Sequence, residues 1–249
     1  MNKREIHFPN GNRVQAIIAP ISTRAIDLVR ALDLPQPRSI ILIAGGASKM
    51  DEHIHPNLMQ LSFGIAHFAA SFHTLVIDGG TQTGVMALIG EGVTRQPSKP
   101  TLLGISPAGR ITYPGKSESV TEHKMRPLEP NHSHFVLVEA NAWGDETATM
   151  YDLANVLSED RPSLAVLING GAIAKSEILH NVRQRRPIIV IQGSGRLADE
   201  ITRIRQEQPS SIVDPALAEI TTQGDLHFFP LTSSVLELEQ MAQRILSQY

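Results

Sequence analysis

Residues 39–84 read SIILIAGGASKMDEHIHPNLMQLSFGIAHFAASFHTLVIDGGTQTG. Two short apolar runs, 39–44 and 74–78, each end in a glycine pair, and between them Leu58, Leu61, Ile65 and Phe68 recur at helical spacing. Continuous rather than alternating apolar runs fit strands covered on both faces. The stretch therefore reads as strand, glycine turn, helix, strand and glycine turn.

The same grammar extends outward. Further runs lie at 101–106, 134–139, 163–168 and 187–192, and Leu153, Val156 and Leu157 mark another helix. Six such strands with helical connections predict an α/β fold with a doubly wound, mostly parallel sheet. A short run at 226–229 is expected at a sheet edge. After it, Ser234 and Glu237 fit a capping box, with Val235, Leu238, Met241, Ala242 and Ile245 as the buried stripe of the last helix. At the other end, runs 4–8 and 13–19 flank Asn10-Gly11, a pair suited to the positive φ angles of a tight turn, so residues 1–20 predict a β-hairpin closed by Pro20. Ile26, Val29 and Leu32 then mark a helix over 23–32, ended by Pro35 and Pro37. Residues 106–130 are rich in Pro, Gly and charge and too long for an ordinary connection, which predicts a mobile segment or a lid. We read 1–249 as one domain with the hairpin as an appendage.

Composition narrows the class. The 249 residues carry Lys+Arg 22 against Asp+Glu 25, a net charge of −3, with 41% hydrophobic and 19% charged residues. That balance suits a soluble globular protein and argues against a nucleic-acid partner. Cysteine is absent, which excludes thiolate catalysis and Cys-ligated metal centres. No apolar run approaches the roughly 18 residues of a membrane span, and MNKREIHF has no signal-peptide core, so the expectation is a cytoplasmic protein without a membrane partner.

Four glycine loops follow four of the strands: Gly45-Gly46-Ala47, Gly79-Gly80-Thr81-Gln82-Thr83-Gly84, Gly170-Gly171 and Gly193-Ser194-Gly195-Arg196. In a parallel sheet all strand C-termini share one edge, so the loops should converge on one crevice, with Gly45, Gly80, Gly171 and Gly195 lining it. Glycine lets a ligand approach the backbone closely, and the helix N-terminus behind each loop favours phosphate. Arg196 adds a guanidinium fork for phosphate oxygens. These features predict a phosphate- or nucleotide-bearing ligand; the alternative is a structural domain whose glycines only serve turns. Neither G-x-x-x-x-G-K-[ST] nor G-x-G-x-x-G occurs, which argues against an ATPase or an ordinary dehydrogenase.

Three segments together carry a family resemblance: DGGTQTGVMALIG at 78–90, NHSHFVLVE at 131–139 with WGDET at 143–147, and PIIVIQGSGRLAD at 187–199. Over about two-thirds of the chain they resemble the SLOG superfamily, and within it a free-standing prokaryotic version of the nucleotide-sensing (LSDAT) domain of TRPM-type channels. The resemblance implies a Rossmann-like domain that binds an ADP-ribose-type or NAD-derived nucleotide as input to an effector. It requires no cofactor beyond that ligand, and a homodimer is common among such relatives. The contacts carried over by motif are Gly45, Gly46 and Ala47; Gly79, Gly80, Thr81, Thr83 and Gly84; Gly170 and Gly171; and Gly193, Ser194, Gly195 and Arg196. The superfamily also contains nucleotide phosphoribohydrolases with the loop P-G-G-x-G-T-x-x-E. Here 169–177 reads NGGAIAKSE, which keeps the glycine pair and Glu177 but lacks the Pro, third Gly and Thr. Glu177 is the catalytic carboxylate under that second reading. A third reading is a partner-binding scaffold with a vestigial pocket.

Other residues have ordinary explanations. His132 and His134 lack a third ligand at metal spacing and read as imidazoles bonded to backbone or to a ligand ribose. His53 and His55 fall beside Asp51 and Glu52, acids suited to a helix start. Arg183, Arg185 and Arg186 fit a solvated helix end, and Asp199 fits a role in orienting Arg196. Trp143 reads either as a stacking surface for adenine or as core. No metal site is expected.

Overall fold

Alternate residues of the run beginning at Ser39 pack into different layers: Ile40, Leu42 and Ala44 join one apolar cluster, Ile41 and Ile43 the other. Such a strand needs helices on both sides. The computed structural model describes residues 1–46, 51–116, 125–208 and 211–248. In chain order the elements are β1 (Asn2–His7), β2 (Arg13–Pro20), α1 (Ala25–Leu32), β3 (Ser39–Gly45), α2 (His55–Phe72), β4 (Thr74–Asp78), α3 (Gly84–Thr94) and β5 (Leu102–Pro107). There follow β6 (Ile111–Thr112), β7 (Arg126–Pro127), β8 (His134–Glu139), α4 (Thr147–Leu157), β9 (Ser163–Ile168), α5 (Ala172–Arg183), β10 (Ile188–Gln192), α6 (Arg196–Glu207), α7 (Pro215–Gln223), β11 (Leu226–Pro230) and α8 (Val235–Leu246).

The central sheet has the order β1-β2-β8-β5-β4-β3-β9-β10-β11. Its neighbours pair in parallel except β1 with β2. The chain lays β4, β5 and β8 to one side of β3, then returns through α4 to lay β9, β10 and β11 on the other. The order reverses between β3 and β9. A doubly wound sheet opens a crevice at such a point, outside the strand C-termini. The fold is the Rossmann-like α/β architecture expected from the glycine-terminated runs, and β11 is the edge strand expected near 226–229.

Three expectations change. The hairpin is no appendage: β2 pairs in parallel with β8, and Ile6, Phe8, Val14 and Ala16 form a third core cluster with Ile111, Tyr113, Leu128 and Phe135. The stripe of α1 is turned, with Leu28, Ala31 and Leu32 buried and Ile26 exposed. The described ends of 106–130 are ordered, because β6 and β7 pair and Leu128 bridges to Thr81. The last helix has both halves of its capping box, with Leu238, Ala242 and Ile245 buried, while Met241 is only partly so.

One glycine fixes how closely the site approaches the sheet. Gly80 has φ +65°, and a Cβ there would lie 2.7 Å from the Gly104 Cα and 2.8 Å from Phe135. Both the backbone angle and the space demand glycine. Gly80→Ala is expected to lower unfolding stability by about 2–4 kcal/mol, through combined strain and overpacking. Urea unfolding measures this, and a change below about 0.5 kcal/mol, the size of an ordinary surface substitution, would show that the contact is not tight.

Candidate functional site

The loops after β3, β4 and β9 meet at the switch point around a crevice of about 320 Å³. Gly45 and Gly46 come from the first, Gly79 and Thr81 from the second, and Gly171 with the first turn of α5 from the third. Trp143, Glu146, Glu177, Arg126 and Arg196 complete the lining, with Ile43, Met86 and Ile173 as its apolar parts. The first two loops interlock, since the Val85 N–H donates to the Gly46 carbonyl at 3.4 Å.

Two features make the crevice suited to an anion. Gly171 caps α5 without a side chain, so the cap itself offers the first-turn amides no acceptor. Arg196 lies across the same glycine: a Cβ on Gly171 would sit 2.6 Å from its Nη2. Among the described residues no carboxylate pairs with Arg196. Its backbone has φ +48°, a left-handed angle that costs energy in an arginine.

The fourth loop departs from expectation. The amides of Gly193 and Gly195 donate to the two oxygens of Asp199 at 2.7 and 3.1 Å. Ser194 is fully buried; its hydroxyl accepts from the Asn169 amide and donates to the Ile191 carbonyl. Gly193, Ser194 and Gly195 therefore stay outside the lining and only present Arg196. Asp199 caps the loop rather than orienting that arginine. Gly80, Thr83, Gly84 and Gly170 are likewise not among the lining residues, and Gly84 opens α3. Ala47 lies outside the described residues.

The floor is acidic. Glu146 is buried and accepts from the Gly144 amide at 2.8 Å. Burial raises its carboxyl above the usual range against that bond. Glu177 is half-buried; burial, then the Glu146 and Asp78 carboxylates, pushes it up to about 8. A carboxyl so perturbed is protonated near neutrality and can donate a proton or a hydrogen bond. Behind it, Tyr151 is fully buried and its hydroxyl is pushed well above its ordinary range by burial and by Glu177.

His132 holds the second loop in place. It is buried, with Nε2 2.9 Å from Asp78 and Nδ1 2.8 Å from Glu129. Asp78 in turn accepts from the Gly80 amide at 2.6 Å. Burial opposes a charge on the imidazole, but the two carboxylates prevail and raise it to about 10. Its partners are thus carboxylates, not backbone or a ribose. His134 contacts Ser133 and does not join it. Arg186 is likewise not solvated: it is buried and bonded to Asn181, Gln184, Ser163 and Asn155, whereas Arg183 pairs with Glu219 at the surface. Asp51 caps a short turn through the His53 amide.

Sequence reading missed Arg126 and Glu146. Arg126 stacks over Trp143, 5.5 Å from the ring centroid, and donates to Thr83 Oγ1 at 2.9 Å. It sits in the irregular 106–130 stretch, where no periodicity singles out one residue. Glu146 was within reach, as the second acid of WGDET. Trp143 packs on the third core cluster and also lines the crevice.

Comparison with known proteins agrees with this geometry. The family model described as "SLOG in TRPM, prokaryote" matches residues 38–239. Relatives include transient receptor potential cation channel subfamily M member 7 of Homo sapiens, 24% identical over 225 residues, 78% of this chain and 12% of the relative. Member-like 2 of Nematostella vectensis is 26% identical over 232 residues, 76% of this chain and 15% of the relative. Member 2 of Mus musculus is 24% identical over 204 residues, 69% and 14%. The chain thus spans a small part of each channel. Among the described residues no helix is long and apolar enough to cross a membrane.

Proposed function

We propose, for a chain that belongs to the prokaryotic family of SLOG domains found in TRPM channels, that the switch-point crevice binds a nucleotide of the ADP-ribose or NAD-derived type and that the domain serves as its sensor. The observation that carries this reading is the Arg196 guanidinium, without a carboxylate partner among the described residues, laid over Gly171 at the first turn of α5. A cation at a helix N-terminus is unfavourable unless an anion joins it. The proposal includes a cytoplasmic setting.

A second reading, N-glycosidic hydrolysis, draws support from the raised carboxyl of Glu177 in the crevice. Incubation with ADP-ribose, NAD and AMP, followed by chromatography and calorimetry, separates the two. Saturable binding with intact ligand is expected. Release of the base, abolished by Glu177→Gln, would instead establish hydrolysis.

A further inference from the structure

Arg196 is the first residue of α6 and has the left-handed φ of +48°, and Gly195 before it has φ +99°. A residue other than glycine keeps such an angle only where its surroundings hold it there. Those surroundings are supplied by Asn169, the residue that follows β9. It is buried, and three of its groups reach the fourth loop. Its backbone amide donates to Ser194 Oγ at 2.7 Å, and its Nδ2 donates to the Ser194 carbonyl at 2.9 Å. Its own carbonyl accepts from the Ala198 amide at 3.0 Å. Ser194 and Ala198 stand two residues to either side of Arg196, so one residue grips both flanks of the arginine. The fit is close: a Cβ on Gly195 would lie 3.0 Å from Asn169 Nδ2.

The residue type follows from these contacts. Asn169 itself has φ +60°, an angle that the short side chain of asparagine tolerates. An ionised aspartate of the same shape would have no donor for the Ser194 carbonyl. The arrangement also carries a cost. Asn169 Oδ1 is buried without a hydrogen-bond partner among the described residues, beside Gly46, where an added Cβ would come within 2.8 Å of it. An orphaned acceptor is unfavourable, so the Nδ2 end of the amide decides how the side chain sits.

We infer that Asn169 is the positioning residue for Arg196: it holds the fourth loop so that the guanidinium lies over Gly171 before a ligand arrives, without touching the ligand itself. The consequence for affinity rests on the nucleotide-binding reading. A guanidinium already aimed at the crevice binds phosphate without first having to be ordered.

The test has two arms, both on the full chain. The first needs no ligand and follows the Nε–H resonance of Arg196, assigned by its loss in Arg196→Ala, by nuclear magnetic relaxation. The resonance should be ordered in the unmodified protein and motionally averaged in Asn169→Gly, which accepts the left-handed backbone but lacks the Nδ2 clamp. The second arm is a calorimetric double-mutant cycle with ADP-ribose. Asn169→Gly alone should weaken binding by about three- to tenfold, the scale of ordering one long side chain. Added to Arg196→Ala, it should cost less than about twofold. A purely structural role would weaken binding equally in both backgrounds, and that result overturns the proposal. So does unchanged affinity in Asn169→Gly, or an Arg196 resonance equally ordered or equally averaged in the two proteins. Should Asn169→Gly fail to fold, Ser194→Ala, which removes the acceptor of the Asn169 amide, replaces it in both arms. If the unmodified chain does not bind ADP-ribose, the nucleotide reading falls, and the resonance alone decides the role of Asn169.

Discussion

Arg196→Ala is expected to weaken ADP-ribose binding by about ten- to a hundredfold. A charge-assisted bond from a guanidinium to phosphate contributes about 1.5–3 kcal/mol, and about 1.4 kcal/mol is a factor of ten. Among the described residues the side chain has no salt-bridge partner to lose, so folding stability should change little. Lysine should rescue only in part, since a point charge cannot reproduce the fork. The backbone supplies an internal control. At φ +48° an arginine is strained, so Arg196→Gly should stabilise the fold by about 1 kcal/mol while still losing affinity. Calorimetry with urea unfolding reads both effects. Unchanged affinity in Arg196→Ala would show that the guanidinium does not touch the ligand.

The largest effect on stability is expected at His132. Replacing it by Gln leaves Asp78 and Glu129 without the cation between them, and breaking a buried pair costs about 3–5 kcal/mol. The same group sets a pH dependence. Its pKa rises on folding from 6.5 to about 10, so the stability it contributes is fully present below about 6.5 and is lost as pH rises through about 10. Unfolding midpoints of the unmodified chain should therefore fall across that alkaline window, and those of His132→Gln should not. A parallel decline in both proteins would place the titration elsewhere. Because Asp78 also holds the Gly80 amide, the variant should bind ligand less tightly as well.

The parallel sheet was legible because each strand is a continuous apolar run ending in glycine, and β3 to β5 and β8 to β10 fall where those runs lie. Chain order across the sheet was not, because local periodicity carries no information on which strands pair. The hairpin illustrates this: Asn10-Gly11 specifies the turn, but nothing within 1–20 reports that β2 lies against β8. In the site, Gly45, Gly46, Gly171 and Arg196 were legible as chemistry at strand ends. The fourth loop was misread because glycine-rich turns look alike whether their amides face a ligand or, as with Asp199, an internal carboxylate. The acidic floor was hidden for another reason. Glu146, Glu177 and Asp78 come from three separate segments, and only the fold makes them neighbours, so that Glu146 and Asp78 add to the burial that raises the Glu177 carboxyl.

The central claim, that a nucleotide enters this crevice, has a built-in reporter. Trp143 is the only tryptophan of the chain and lines the site. Titration of the unmodified protein with ADP-ribose, followed by tryptophan emission alongside calorimetry, should give one saturable curve with the same dissociation constant by both signals. Calorimetric binding that leaves Trp143 emission unchanged, or no binding at all, would contradict it.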